Sequence, residues 1–118
     1  MRISMPRGDI RKIPFIVTNP DGEPAGIDFD EIYFTVKKKY TDSGYLFQKR
    51  LTTGGITKED DDTYQIKIEA ADTNNLAINK PGEFYEFDIQ LQYLNEIKET
   101  TCGELVLTKE VTYASNEG

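Results

Sequence analysis

The feature that most constrains the fold of this chain is a period-two alternation of apolar and polar residues. The longest alternating run extends from residue 83 to residue 93. Its alternate apolar positions are Tyr85, Phe87, Ile89, Leu91 and Tyr93. Successive side chains of a β-strand point to opposite faces, so this run predicts a strand with one buried face and one wet face.

Shorter runs with the same alternation occur throughout the chain, at residues 13–17, 32–36, 45–51, 64–68 and 105–113. Turn-forming residues separate them, as in Asn19-Pro20-Asp21-Gly22, Asp42-Ser43-Gly44, Thr53-Gly54-Gly55 and Lys80-Pro81-Gly82. Short strands at such spacing are typical of a sandwich or barrel. We count six strands, and residues 55–57 add a short seventh.

Other local signals refine this prediction. Pro14 lies inside the first run and lacks a backbone donor, which predicts an edge or bulged strand. Residues 94–96 predict a hairpin connection, and residues 70–76 predict one helical turn. The ends, 1–8 and 114–118, are interpreted as tails. The expectation is one domain over residues 1–118, with an ordered core over about 7–113.

Charge and composition limit the partners. The formal net charge is -7, which argues against nucleic-acid binding and against docking on anionic lipid. The single cysteine, Cys102, excludes an intrachain disulfide. The sequence has no apolar run of membrane-spanning length, and its first residues lack the apolar core of a secretion signal. We therefore expect a protein that is made in the cytoplasm and stays in solution inside the cell, or that leaves it by a route that reads no N-terminal signal.

The sequence contains few of the residue types on which catalysis usually depends. It contains no histidine, the commonest general base near neutral pH and the commonest metal ligand. The acidic run Asp60-Asp61-Asp62, preceded by Glu59, is interpreted as a solvated loop, with a weak Ca²⁺ site as the alternative. The tripeptide Arg7-Gly8-Asp9 is interpreted as a polar entry to the first strand. We predict no enzyme activity, no metal and no cofactor.

Candidate interaction residues come from the tyrosines and from one basic run. Tyr33, Tyr40 and Tyr45 are freer than the tyrosines of the clearest alternating runs, and they are candidates for contact with a partner subunit. Lys37, Lys38 and Lys39 are interpreted as a solvated edge or strand end, and they are also candidates for an edge that meets an acidic partner. The alternative is a carbohydrate-binding or adhesion module, which needs aromatic rings on a wet face with Asn, Gln or Asp beside them.

The order of features also resembles a known family. Its carriers are Arg7-Gly8-Asp9, Val17-Thr18-Asn19-Pro20-Asp21-Gly22-Glu23-Pro24, Ile32-Tyr33-Phe34-Thr35-Val36-Lys37-Lys38, Leu46-Phe47-Gln48-Lys49, Ala71-Asp72-Thr73, Pro81-Gly82-Glu83-Phe84-Tyr85-Glu86-Phe87 and Gly103-Glu104-Leu105-Val106-Leu107-Thr108. Over about residues 7–113 the chain resembles the immunoglobulin-like sandwich domains of tailed bacteriophages and prophages. It is most similar to the N-terminal domain of baseplate upper proteins and to related small tail or baseplate proteins.

The resemblance implies an all-β, immunoglobulin-like antiparallel β-sandwich of about seven strands with one short helical turn. It implies a virion structural module, often oligomeric, that contacts other tail or baseplate proteins and offers no catalytic residues. In larger relatives a coiled coil or adhesin follows the domain. The residues after Tyr113 contain neither, which favours an adaptor or free-standing component.

Overall fold

The computed structural model describes residues 1–18, 21, 29–60, 62–78, 82–94 and 96–109. These residues form eight strands and one short helix. In chain order they are β1 (Arg2–Pro6), β2 (Arg11–Ile16), β3 (Glu31–Lys37), β4 (Phe47–Arg50), β5 (Ile56–Lys58), β6 (Thr63–Ile68), α1 (Ala70–Thr73), β7 (Glu83–Tyr93) and β8 (Glu96–Thr108).

The strands form two sheets. The larger sheet has the order β1-β8-β7-β3-β4, and the smaller has the order β2-β6-β5. Every pairing is antiparallel except that of β1 with β8, which is parallel. The predicted all-β sandwich is confirmed, with one strand more than the sequence indicated.

The core follows the alternation of the sequence. The inward residues of β3, β6 and β7 are buried, namely Ile32, Phe34, Val36, Tyr64, Ile66, Ile68, Tyr85, Phe87, Ile89 and Leu91. The ring centroids of Phe34 and Phe87 lie 5.1 Å apart across two neighbouring strands, and those of Phe15 and Tyr64 lie 5.6 Å apart. Burial of these apolar and aromatic surfaces is the main favourable contribution to folding.

The first residues of the chain correct one prediction. The interpretation of residues 1–8 as a tail is wrong, because β1 pairs with β8 along its whole length. Ile3 and Met5 alternate with polar neighbours and are both buried in the core. Gly8, with a φ of 86°, then turns the chain toward β2 in the other sheet. The predicted tail at 114–118 lies outside the described residues.

The sheet edges carry features that discourage strand pairing between molecules. Pro14 lies on β2, which is an edge strand as predicted. The amide of Val17 donates to the carbonyl of Asp62 beside β6, so by alternation the nitrogen of Pro14 faces the free edge. The other edge strands, β1, β4 and β5, contain five, four and three residues, and β1 ends in Pro6. Short and proline-bearing edges oppose edge-to-edge association.

The helix α1 confirms the predicted helical turn and explains a break in the alternation of β4. Lys49 is a charged residue at an inward position of β4, and only 11% of its side chain is exposed. Its ammonium group lies 2.6 Å from the carboxylate of Asp72 in α1. A Cβ at Gly55 would lie 3.0 Å from Cδ of Lys49, so a glycine at that position leaves space for the lysine stem.

Candidate interaction surfaces

Tyr33 lies on the outer face of the larger sheet, the side away from the core, and it is half-buried. The guanidinium of Arg50, on the neighbouring strand β4, lies 5.0 Å from the centre of its ring. An Nη of Arg50 also donates to the Tyr33 hydroxyl at 3.4 Å. The aromatic face of Tyr33 is therefore partly covered by a side chain of its own sheet.

The same arginine belongs to a buried network around Glu31. The Glu31 carboxylate accepts hydrogen bonds from the amides of Ile32 and Thr52, from the Thr52 hydroxyl and from Nε of Arg50. Burial alone would raise the pKa of Glu31, but the hydrogen bonds from Thr52, Ile32 and Arg50 hold it below its usual value. This network fixes the start of β3 against the turn that follows β4.

The lysine run begins at Lys37, the last residue of β3, and continues into the β3–β4 loop, so it lies at the end of an inner strand and not along a sheet edge. Lys37 donates to the backbone carbonyl of Asp42. Lys38 pairs with the buried carboxylate of Glu83, and its ammonium lies 4.4 Å from the centre of the Tyr85 ring. Lys39 is exposed. The run is thus a mixture of engaged and solvated cations.

Tyr40 extends from the β3–β4 loop across the outer face. Its hydroxyl donates to the carbonyl of Gly103 at 3.0 Å and to that of Phe87 at 3.3 Å, and its amide donates to Glu86 at 2.6 Å. Burial, together with the nearby Cys102 thiol and Glu86 carboxylate, raises the pKa of Tyr40 to about 12. This tyrosine ties the loop to β7 and β8.

A cleft opens at the end of the sandwich where the β3–β4 loop meets the start of β7. We call it the loop-end cleft, and its volume is about 360 Å³. Its lining residues are Lys38, Leu46, Asn75, Leu76, Ala77, Glu83 and Tyr85. Leu46 and its neighbour Tyr45 are exposed beside it. Of the predicted site residues, Lys38 lines this cleft, and Tyr45 is next in sequence to a lining residue.

The opposite end of the sandwich carries the tip of the β7–β8 hairpin. Leu94 is 67% exposed and has a φ of 53°, a left-handed conformation that branched side chains rarely adopt. The carboxylate of Asp30 accepts a hydrogen bond from the Leu94 amide at 2.6 Å. Ile97 is also exposed. We call Leu94 and Ile97 the hairpin tip.

An irregularity in strand pairing determines the direction of Ile97. Leu91 pairs with Glu99, but the next residue, Gln92, pairs with Ile97, so Lys98 is the extra residue of a β-bulge. Without the bulge, Ile97 would share the inward parity of Glu99. With it, Ile97 lies opposite Gln92, whose parity is that of the outer face.

A second groove, of about 270 Å³, lies between the free edge of β2 and the inner side of the β7–β8 hairpin. Phe15, Val17, Ile89 and Leu91 contribute apolar lining, and Glu99 lies at the same groove. It forms because the smaller sheet has three strands against five in the larger, which leaves the inner side of β8 partly uncovered near Glu99.

The other groups singled out in the sequence do not converge. Glu59 and Asp60 lie exposed in the β5–β6 turn, and Asp61 lies outside the described residues. Across the described ranges, no group of three or more Asp, Glu or Cys side chains is arranged to hold a metal ion. Cys102 is exposed on the outer face in β8. Within the same ranges, no helix has the length and apolarity needed to cross a membrane.

Comparison with known proteins adds no relative: no protein-family model and no curated protein matches this chain.

The alternation did not indicate the hairpin tip or the loop-end cleft. The one available signal for the tip is a leucine at a turn position where glycine or asparagine is usual.

Proposed function

We propose that this chain is a non-enzymatic structural module of a tailed-phage or prophage virion. It acts as a tail or baseplate component through protein–protein contacts, after synthesis in the bacterial host cytoplasm. The proposal combines the family resemblance of the sequence with the strand order and with the distribution of exposed apolar side chains.

The strand order supports the immunoglobulin-like part of the proposal. Immunoglobulin variable-type domains place strands G, F, C and C′ in one sheet and B, E and D in the other. The orders β8-β7-β3-β4 and β2-β6-β5 follow the same sequence of strands. By this correspondence the β7–β8 hairpin is the F–G loop, which in antibody variable domains belongs to the antigen-binding end.

The hairpin tip is the observation that carries the assembly function. Two branched aliphatic side chains are held in solvent there by two costly local features, a left-handed Leu94 and a bulge beside Ile97. Backbone strain and bulges cluster at functional sites, where they direct particular side chains. Apolar anchors of this kind contribute to binding when a partner removes them from water.

The edges of the sheets favour side-chain contacts over strand addition. A partner strand added to β2 would meet the missing donor of Pro14, and β4 and β5 offer only four and three residues for pairing. Since a strand gains affinity from several consecutive backbone hydrogen bonds, these edges are poor templates.

The carbohydrate-binding alternative receives less support. Arg50 partly covers the ring of Tyr33, and the hydroxyl of Tyr40 is engaged by backbone carbonyls of β7 and β8. The guanidinium therefore occupies one face of the Tyr33 ring, whereas Tyr40 and Tyr45 remain exposed and are the aromatic residues on which the alternative still depends. Calorimetric titration with glycans separates the two functions, because saturable sugar binding would favour the alternative.

The proposed function is tested by measuring binding of the purified chain to individual tail and baseplate proteins encoded beside it. Light scattering should show a complex of defined mass with at least one of them. The variant Leu94→Asn with Ile97→Ser should weaken that complex. The matched control Ile10→Ser, which removes an equally exposed isoleucine near the other end, should not. Absence of any complex across the full set would refute the proposal.

A further inference from the structure

We infer that this chain binds an extended segment of a partner protein by strand addition to the part of β8 that β1 leaves uncovered. The segment that fits carries a lysine or arginine between alternate aliphatic residues. This inference goes beyond the proposed function, because the site is separate from the hairpin tip. The backbone of β8, the groove beside it and one acidic side chain support it.

The uncovered part of β8 is a free sheet edge. β1 pairs with residues 104–108 of β8, whereas within the described part of the chain no strand pairs with residues 97–103 on the side away from β7. Residues 99–102 are all exposed. This edge differs from the short or proline-bearing edges elsewhere, because it belongs to a long strand that β7 holds along its other side.

The backbone of this edge offers hydrogen-bonding groups at two positions. The Glu104 amide donates to the carbonyl of Met1 at 3.1 Å, so the even-numbered residues of β8 direct their backbone groups toward the side of β1. By the alternation of a strand, Thr100 and Cys102 direct theirs to the same side, where β1 does not reach. Two amides and two carbonyls therefore form a row that suits an extended polypeptide and not a sugar or a lipid.

The groove beside this edge has room for side chains of an added strand. It is the groove of about 270 Å³ between β2 and the β7–β8 hairpin, with Phe15, Val17 and Leu91 in its apolar lining. A cavity of about 150 Å³ accepts benzene, so this volume accommodates more than one aliphatic side chain. The inward side chains of an added strand would be removed from water while its backbone pairs with β8.

β1 shows what kind of segment this side of the sandwich accepts. It is an extended segment parallel to β8, and its alternate residues Ile3 and Met5 are buried in the core. Beneath β1 the inward residues Leu105 and Leu107 of β8 are fully buried, whereas Thr101, which has the same parity, is exposed. A strand added in line with β1 would continue the same pairing over the groove.

Glu99 determines which strand fits. It has the inward parity and lies at the groove, and among the described residues it forms no hydrogen bond or ion pair. A purely apolar strand would bury this carboxylate without a partner, which is unfavourable, and an inward charge at an edge opposes nonspecific pairing in this way. A lysine or arginine at the facing position supplies the opposite charge, so Glu99 favours a basic segment.

A second copy of this chain is a poorer occupant of the site. Its own uncovered edge of β8 would bring another Glu99 to the same groove, and like charges across a contact oppose association. Its other edge strands are short or contain proline. The partner is therefore a different protein.

The probe is a synthetic peptide of nine residues that alternates valine with threonine and has lysine in place of its central valine. Calorimetric titration of the full chain should show saturable binding, and hydrogen exchange should show protection of the Thr100 and Cys102 amides. A second peptide with glutamate in place of the lysine should bind at least about tenfold more weakly. In the variant Glu99→Lys this preference should be reversed.

Two further variants separate the edge from the rest of the molecule, and circular dichroism confirms that each folds. Thr100→Pro removes a backbone donor from the free edge without removing one from the pairing with β7, so it should weaken binding of the lysine peptide. Leu94→Asn with Ile97→Ser alters the hairpin tip alone and should leave peptide binding unchanged.

A tethered probe detects an affinity too weak for titration. The lysine segment is fused before Met1, which places it in line with β1 and raises its effective concentration. This fusion should raise the thermal midpoint of the chain, whereas the matched glutamate fusion should not.

Absence of peptide binding together with an unchanged midpoint of the lysine fusion would overturn the inference. So would binding that is equal in wild type and Glu99→Lys. Self-association that Thr100→Pro abolishes, measured by sedimentation velocity, would place a second copy at the edge and would also overturn it. None of these results decides the test of the proposed function, which measures complexes that depend on the hairpin tip.

Discussion

The ammonium group of Lys49 and the carboxylate of Asp72 form an ion pair that joins β4 to α1 in the interior of one flank of the sandwich. Their side chains are 11% and 17% exposed, so water screens the pair only partly. Lys49 is also 3.7 Å from Glu69, the residue that precedes α1. Asp72 has a second role, because it accepts a hydrogen bond from the Glu69 amide at the start of α1.

Removing both charges of this pair should destabilise the fold by less than the sum of the losses caused by removing each charge alone. Lys49→Met keeps the stem beside Gly55 and leaves Asp72 without its cation, whereas Asp72→Asn keeps an acceptor for the Glu69 amide. We expect each single variant to lower the free energy of unfolding by roughly 1–3 kcal/mol. The double variant should lose less than the two single losses added together. Urea titration measures the cycle, and strict additivity would contradict a coupled pair.

Glu31 should make stability depend on pH in the acidic range. Its pKa in the folded state is lowered, so its contribution is present above the unfolded value of about 4.5 and is lost as the pH falls through the folded value. Glu31→Gln should therefore cost roughly 1–3 kcal/mol at neutral pH. The difference between wild type and variant should shrink below about pH 4.5. Denaturant unfolding at several pH values tests this, and a constant difference would count against it.

Gly103 should not tolerate a side chain. A Cβ at this position would lie 2.5 Å from the carbonyl oxygen of Met1 and 2.5 Å from the ring of Phe87, and neither can retreat without moving the β1–β8 pairing or the core. Gly103→Ala should lower the free energy of unfolding by roughly 1–3 kcal/mol. Gly44→Ala is the control, because nothing lies within 4 Å of the added atom there. Equal stability of the two variants would contradict the packing described.

Tyr40 should ionise well above an ordinary tyrosine. The difference in tyrosinate absorbance between wild type and Tyr40→Phe should titrate near pH 12, because burial and the neighbouring Cys102 raise the pKa of Tyr40. The neutral phenol favours the folded state below about pH 10, and that contribution is lost as the pH rises toward 12. Cys102→Ser should lower the midpoint. A difference titration centred near pH 10 would mean that the hydroxyl is not held on β8.

We expect that Leu94 lowers the stability of the fold and in return presents an exposed apolar side chain to a partner. Its left-handed backbone costs a branched residue roughly 1–2 kcal/mol, which glycine does not incur. Leu94→Gly should therefore raise the thermal midpoint, whereas Leu94→Ala, which keeps the backbone penalty, should not. Calorimetry compares the two, and a lower midpoint for the glycine variant would show that Leu94 packs within its own chain.

The sequence predicted the core well because burial in a strand depends on local alternation. The alternation alone predicted that Tyr64, Ile66 and Ile68 are buried. Pro14 predicted an edge strand, because proline lacks the backbone donor that an inner strand needs. The same alternation was present in Ile3 and Met5, but a run of five residues ending in Pro6 is too short to distinguish a strand from a tail.

The interaction surfaces depended on contacts that alternation does not encode. Lys49 is a charged residue at a position where the alternation predicts an apolar one. Its burial is explained by the ion pair with Asp72, which is visible only in the three-dimensional structure. The alternation also does not show that Lys38, in the lysine run expected to meet an acidic partner, pairs with Glu83, forty-five residues further along its own chain. Ile97 faces outward because of a bulge, and the alternation of β8 alone gives it the opposite face.

The extra residue in β8 separates two parts of one hairpin. Residue pairs on the core side of the bulge, such as Leu91 with Glu99, keep their register whatever the sequence on the other side. This is because Lys98, the unpaired residue, accommodates the shift in register. Substitutions or changes of length farther out can then accumulate without disturbing the interior. Related proteins could therefore carry different residues at the hairpin tip and contact different partners, while the core of the sandwich folds unchanged.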